Sequence, residues 1–291
     1  MKQILILSGK GGTGKTTISA AFIEMAKSRA FADCDVDAPN LHIVLPEMKN
    51  SDTKDYYGLG KASIDIDKCI KCGICEKNCH FDAIKNTFVN IYECEGCGLC
   101  VEMCPVKAVN IKDYCSGNTM LYKDNLNIFS TAQLKMGNGA SGKLVSAVKK
   151  QLLNNIPDHT ETVIIDGSPG IGCPVIASIS GADLVLIVTE PTISGIHDMK
   201  RIIDTALHFN IKPLVCINKF DINIENTRAI EKYCKEKSII IPGKIPFDET
   251  VVHAVNKCRS IAKYPESKAG KAVKGIWDFI YSNFMDANPV K

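Results

Sequence analysis

Gly9-Lys10-Gly11-Gly12-Thr13-Gly14-Lys15-Thr16 decides how this chain is read. The stretch satisfies the G-x4-G-K-[S/T] pattern. It is preceded by the apolar run 2–7, a buried strand, and followed by Thr17–Ala30, where Ile18, Ala21, Phe22 and Met25 share one helical face. A strand, a glycine loop and a helix in that order make a phosphate cradle. Glycines let backbone N–H groups converge on phosphate oxygens, and the helix N-terminus adds the positive end of its dipole. Lys15 then reaches the β- and γ-phosphates, and the Thr16 hydroxyl ligates Mg²⁺.

Outward from the loop, strand and helix patterns alternate. Phe31–Asp33 closes a short strand, and Thr162–Asp166, Leu184–Val188 and Leu214–Asn218 are further buried strands. Leu144, Val145, Val148 and Leu152 mark one helix, Ile196, Met199, Ile203 and Leu207 the next, and Ala269–Phe284 a last one. The expected class is α/β: a mostly parallel P-loop sheet with helices on both faces. Between Gly58 and Ser116 the alternation stops, giving way to cysteine runs and short turns without a long amphipathic helix. That segment reads as a small inserted α+β domain of residues 59–116 within a domain formed by 1–58 and 117–291. Its borders fall in the soft stretches Asp52–Gly60 and Ser116–Asp124.

Composition narrows the function classes. The 291 residues are 45% apolar and 23% charged, which excludes a disordered chain. A net charge of +3 is too mild for a nucleic-acid footprint. No apolar run approaches the ~18 residues of a spanning helix, and the apolar N-terminus stops at Ser8, too short for a signal peptide. The expected location is the cytoplasm. There, 14 cysteines mean metal before disulfides.

Nine cysteines crowd together: Cys69, Cys72, Cys75, Cys79, Cys94, Cys97, Cys100, Cys104 and Cys115. The run Cys69–Cys79 has the spacing C-x2-C-x2-C-x3-C, and Cys94–Cys104 repeats it 25 residues later, with Pro105 following. Zinc favours two separated C-x2-C pairs over a four-cysteine run. The run resembles that of bacterial ferredoxins, whose fourth cysteine ligates the other cluster. That resemblance implies one [4Fe-4S] cluster on Cys69, Cys72, Cys75 and Cys104, and a second on Cys94, Cys97, Cys100 and Cys79. His80 stands where ferredoxins usually have proline, a departure in the local turn. Cys115 lies outside the repeat and reads as an ordinary small residue, and Cys34, Cys216, Cys234 and Cys258 have no metal spacing.

The second lysine of the loop, Lys10, makes it similar to the deviant KGGxGKT loop of the MinD/Mrp/nitrogenase iron protein ATPases. The resemblance continues in Asp33-Cys34-Asp35-Val36-Asp37-Ala38-Pro39, in Val163–Gly170, and in Val215-Cys216-Ile217-Asn218-Lys219. It implies ATP and Mg²⁺ as ligands and a nucleotide-driven dimer, with itself or a similar chain, in which Lys10 reaches the partner's nucleotide. Gly11, Gly12, Thr13, Gly14, Lys15, Thr16 and Thr17 would wrap the phosphates. Asp35 would orient the attacking water, Asp166 would hold Mg²⁺ with Thr16, and Gly170 would sense the γ-phosphate. Asn218 and Lys219 would read adenine, with Pro242 in a loop covering the base. Cys173 follows Asp166 by seven residues, the offset of a cluster cysteine in the nitrogenase iron protein, although a small buried residue beside the switch explains it as well.

The chain therefore resembles MinD-superfamily ATPases carrying an inserted two-cluster ferredoxin domain. Three functions follow. The first is an ATP-hydrolysing switch that gates electron transfer to a redox client. The second is an iron–sulfur carrier that serves a cluster client, and the third is a positioning ATPase that uses the insertion for docking. No C-x-x-C follows residue 104, which weighs against a scaffold. The last helix, with few lysines beside Val273, Ile276, Trp277 and Ile280, reads as core and not as a membrane anchor.

Overall fold

The computed structural model describes residues 1–45, 48, 51–124, 126–139 and 141–285. The apolar runs do become the middle of a sheet. Strand β1 (Lys2–Ser8) lies between β10 (Thr162–Pro169) and β11 (Leu184–Thr189), both parallel to it. Two strands absent from the sequence reading complete the parallel part: β9 (Ile128–Leu134) beside β2 (Ala30–Asp33), and β13 (Ile240–Ile245) beside β12 (Leu214–Asn218). Strands β3 (Ser51–Tyr57) and β8 (Cys115–Lys123) then extend the sheet antiparallel. The order is β13-β12-β11-β1-β10-β2-β9-β8-β3. This is an α/β P-loop fold with a mostly parallel sheet.

Because side chains alternate along a strand, β1 feeds both faces. Leu5 and Leu7 pack against α4 (Ser141–Leu153), α5 (Cys173–Ile179), α6 (Ile193–His208) and α7 (Ile224–Glu236) through Leu144, Val175, Met199 and Ile230. Ile4 and Ile6 pack against α1 (Lys15–Met25), α8 (Glu249–Asn256) and α9 (Lys268–Ile280) through Phe22, Ala254 and Trp277. The rings of Phe22 and Trp277 lie 5.1 Å apart. Trp277 and Ile280 are thus core residues.

Three boundaries differ from the expectation. The first helix ends at Met25, not Ala30, because Lys27 adopts φ 47° and the chain turns into β2. The stretches Asp52–Gly60 and Ser116–Asp124 are not soft linkers. Both are largely strand, laddered from Ser51↔Tyr122 to Tyr57↔Cys115. Pro242 lies inside β13 and not in a loop. Residues 286–291 of the outer range lie outside the described residues.

The cysteine segment carries the repeat into its backbone. Its elements are β4 (Lys61–Ile64), α2 (Ile74–Lys77), β5 (Ile84–Lys85), β6 (Phe88–Val89), α3 (Leu99–Glu102) and β7 (Val109–Lys112). Strand β4 pairs with β7 and β5 with β6, both antiparallel. Positive φ recurs at 25-residue spacing: Lys71 and Gly96, Gly73 and Gly98, Asp82 and Lys107.

Candidate functional site

The C-terminal ends of β1, β2, β10, β11 and β12 meet at the glycine loop, where ligands bind in sheets of this kind. Gly12 and Gly14 have φ of +81° and +89°, which only glycine adopts freely. A Cβ at Gly14 would also strike the Asn218 amide. That amide donates to the Thr13 carbonyl at 2.8 Å, tying the loop to the end of β12. Gly11 is exposed, Thr17 is half-buried, and α1 begins at Lys15 with its axis ending in the loop.

Asp166 is fully buried and gathers three side chains of the first helix around it. Lys15 Nζ lies 2.8 Å from its Oδ1. The Thr16 hydroxyl donates to Oδ2 at 2.7 Å and Ser19 to Oδ1 at 2.7 Å. Burial disfavours the Lys15 charge, but Asp166 and then Asp33 more than offset it, so its pKa is raised. Ser19 was missed in the sequence, although it stands one helical turn after Lys15 and therefore on the same side.

Asp33 aligns with Asp166 in the ladder. It accepts backbone N–H groups from Asp35, Asn40 and Leu41 at 3.0, 2.9 and 2.9 Å, and so shapes the segment that presents Asp35. Burial, and then the Asp166 charge, push Asp33 up to about 7. Asp35 is half-buried, and burial raises its pKa too. Ser168 donates to the Cys34 carbonyl, and Gly170 N–H to Ser8 O at 2.9 Å, so the segment after Asp166 is held beside the loop.

Lys10 points at Glu190 and Thr192, with Nζ 3.7 Å from Glu190 Oε2 and 3.4 Å from Thr192 Oγ1. Lys219 Nζ reaches the other Glu190 oxygen at 2.6 Å. Glu190 is a second residue the sequence reading missed. Asn218 and Lys219 border a cavity of about 250 Å³ lined also by Gly12, Ile245, Val252 and Val255. Its walls come from α1, α8, α9 and the end of β13, and Pro242 is not among them, which corrects its expected place over a base. Cys173, the first residue of α5, is exposed beside Gly142 rather than buried.

The eight repeat cysteines fall into two groups of four. Cys69, Cys72, Cys75 and Cys104 line a cavity of about 320 Å³. Cys79, Cys94, Cys97 and Cys100 line another of about 20 Å³. The Cys69, Cys94 and Cys104 sulfurs accept backbone N–H groups from Lys71, Ala62 and Ala108 at 3.4, 3.4 and 3.2 Å. Among the described residues, no group of three or more His, Cys, Asp or Glu is arranged to hold a single metal ion. Cys115 belongs to neither group and lies 3.0 Å from Lys135 Nζ. Among the described residues no helix is long and apolar enough to cross a membrane.

The CobQ/CobB/MinD/ParA nucleotide binding domain matches residues 4–261. An uncharacterized protein of Methanocaldococcus jannaschii is 34% identical, covering 91% of this chain and 93% of its own. An iron-sulfur cluster carrier protein of Pyrococcus furiosus is 24% identical over 94% of this chain and 83% of its own. Among solved structures, the cell division ATPase MinD of Pyrococcus furiosus superposes with a TM-score of 0.57 at 17% identity. It covers 97% of this chain and 98% of its own.

Proposed function

The chain belongs to the CobQ/CobB/MinD/ParA nucleotide-binding family, and from that premise we propose that it is a dimeric ATPase coupling its nucleotide state to electron transfer through two [4Fe-4S] clusters. The family's ATPases are nucleotide hydrolases that take ATP and Mg²⁺ and commonly dimerise with ATP. In this reading Lys15 moves from Asp166 onto the β- and γ-phosphates. The Thr16 hydroxyl and the Asp166 carboxylate, already 2.7 Å apart, then serve Mg²⁺. Asp35 orients the attacking water, on a segment that Asp33 holds by three backbone bonds. Lys10 leaves Glu190 for the nucleotide of a second copy. Asn218 and Lys219 hold the base against Val252 and Val255.

The observation that carries the electron-transfer part is the grouping of the thiols. The two cavities collect Cys69, Cys72, Cys75 with Cys104, and Cys94, Cys97, Cys100 with Cys79. Each set of three thus takes its fourth member from the other run, the crossed pattern of two-cluster ferredoxins. The donor set suits a cluster, because four cysteine thiolates are the ligands of a [4Fe-4S] centre. Clusters of this kind supply one-electron storage at low potential. The chain's part is to fix the thiolates and donate N–H groups to sulfur, as Lys71, Ala62 and Ala108 do. Residues 59–116 form that electron-transfer module.

A second reading, a carrier that hands clusters to a client, is favoured by the Pyrococcus furiosus relative's name and by the exposed Cys72 and Cys97. One experiment separates the two. The anaerobically purified chain is assayed for iron and sulfide, then titrated for potential with ADP and with a non-hydrolysable ATP analogue, and finally mixed with an apo-ferredoxin. Coupling predicts about eight irons per chain and nucleotide-dependent potentials without transfer. Transfer to the apo-protein with unchanged potentials supports the carrier. A protein without iron refutes both.

A further inference from the structure

Lys61 is a buried cation that neither the nucleotide site nor the thiol sets employ. It begins β4 and is only 6% exposed. Its Nζ donates to the carbonyl of Cys94 at 2.6 Å and lies 5.6 Å from the centre of the Tyr114 ring. No carboxylate pairs with it among the described residues. The next residue, Ala62, donates its N–H to the Cys94 sulfur. This approach is built into the backbone: Gly96, at φ +63°, sits so close that a Cβ there would strike the Gly60 carbonyl.

The internal repeat provides the comparison. Twenty-five residues after Lys61 stands Asn86, neutral and exposed, at the cavity of Cys69, Cys72, Cys75 and Cys104. Its backbone N–H is occupied by Glu76 Oε2 at 2.9 Å. Lys71 and Glu76 both line that cavity, with opposite charges, whereas the cavity of Cys79, Cys94, Cys97 and Cys100 is lined by the half-buried Glu95, with the buried Lys61 behind Cys94. One half of the repeat therefore places an unpaired buried cation at a cluster ligand, and the other half does not. A buried charge is screened far less than an exposed one.

We propose that Lys61 makes the two clusters unequal, so that the one held by Cys79, Cys94, Cys97 and Cys100 is the easier to reduce and the resting place of the electron. The inference depends on the two-cluster reading above. One-electron reduction adds a negative charge to a cluster, and net charge, hydrogen bonds to sulfur and exposure set its potential. Each set contains one exposed thiol, Cys72 in the first and Cys97 in the second, so exposure separates the two little. The buried Lys61 ammonium is what sets them apart.

The test is a redox titration of the full chain followed by electron paramagnetic resonance, after iron and sulfide have been counted. A Cys97→Ala chain shows which signal belongs to the second cluster. Lys61→Met should lower the midpoint of that signal by about 59 mV, a tenfold change for one electron, and leave the other in place. Lys61→Arg, which keeps the charge, should restore it. If Lys61→Met fails to load the second cluster, Lys61→Gln retains a donor to Cys94 without the charge and should show the same drop. A fully loaded Met or Gln chain with an unmoved second midpoint, or with both midpoints moved equally, overturns the proposal. A wild-type chain without iron overturns the cluster reading beneath it.

Discussion

Replacing Lys15 with methionine should damage the fold as well as the chemistry. The ammonium lies 2.8 Å from Asp166, with side chains 6% and 0% exposed. Methionine keeps most of the volume and removes the charge, leaving a carboxylate in the core without its counter-ion. Breaking such a buried pair costs about 3–5 kcal/mol. The Thr16 and Ser19 hydroxyls still donate to Asp166, so the low end, about 3 kcal/mol, is expected. That is roughly a hundredfold in the folding equilibrium. In a chain of this size it lowers the melting temperature by roughly 6–12 °C. Adding Asp166→Asn removes the stranded charge and should recover most of the loss, a coupling that a double-mutant cycle reads directly. Urea denaturation followed by circular dichroism gives the three stabilities. Mg-ATP at about a hundred times its Kd should stabilise the parent by about 2.7 kcal/mol and the methionine variant not at all. If Lys15→Met melts within a degree of the parent, or if the double variant is no more stable than the single, the ion pair does not hold the site together. Nucleotide binding by the single variant must in any case be measured well below its lowered melting point.

Three further outcomes are expected. Asp35→Ala should bind ATP and hydrolyse it at a small fraction of the parent rate, and parent-like turnover would move the water-orienting role elsewhere. Lys10→Ala should bind nucleotide yet stay monomeric and lose hydrolysis, as light scattering with ATP and Mg²⁺ would show; an ATP-induced dimer in this variant contradicts a role across the interface. Asp33 keeps its proton up to about pH 7 in the fold, while an unfolded carboxyl releases it near 3.8, so stability should fall as pH rises between those values. Asp33→Asn should flatten that slope in denaturation curves at pH 5 and pH 8, and an unaltered slope would assign the dependence to another group.

The parallel core was legible because its strands are continuous apolar runs. Ile4–Leu7 and Leu184–Val188 are buried on both sides and need no partner to be recognised. Strand β3 was not legible. Ser-Asp-Thr-Lys-Asp-Tyr-Tyr is polar and exposed, and only its ladder with β8 makes it a strand. The phosphate loop announced itself because its chemistry is local, with every group within eight residues. Ser19 and Glu190 act through partners 147 and 180 positions away (Asp166 and Lys10), so their roles appear only when strand ends are brought together. Pro242 shows the reverse error: the family resemblance placed it in a loop over the base, but at the irregular register between Leu214 and Cys216 the edge strand β13 accommodates it.

The place of the cysteine segment in the fold bears on the proposed coupling. The chain leaves the nucleotide site at Asp35 and Val36, runs through β3 into the cysteine segment, and returns along β8 and β9. Leu134, the last residue of β9, donates its N–H to the Val36 carbonyl at 2.8 Å and pairs with Gly117 of β8. The segment that presents Asp35 is thus hydrogen-bonded to β9, which pairs with the strand that leaves the cysteine segment. A second contact leaves β9 on its far side. A Cβ on Gly137 or Gly139 would stand 2.9 Å from the Tyr92 ring or the Glu95 carboxylate, so this loop presses on the cysteine segment. It leads into α4, and Lys149 of α4 holds the end of α5 by donating to the Ser178 and Ser180 carbonyls at 2.6 and 2.5 Å. Helix α5 follows Gly170. The segment expected to orient the attacking water and the one expected to sense the γ-phosphate therefore both reach the cysteine segment through contiguous elements. Contiguity alone does not establish coupling; a two-state element biased from both ends does. Linkage makes the demand symmetric: whatever factor ATP contributes to cluster reduction, reduction must return to ATP affinity. A nucleotide affinity that differs between the oxidised and reduced protein would therefore demonstrate the coupling without any knowledge of the client.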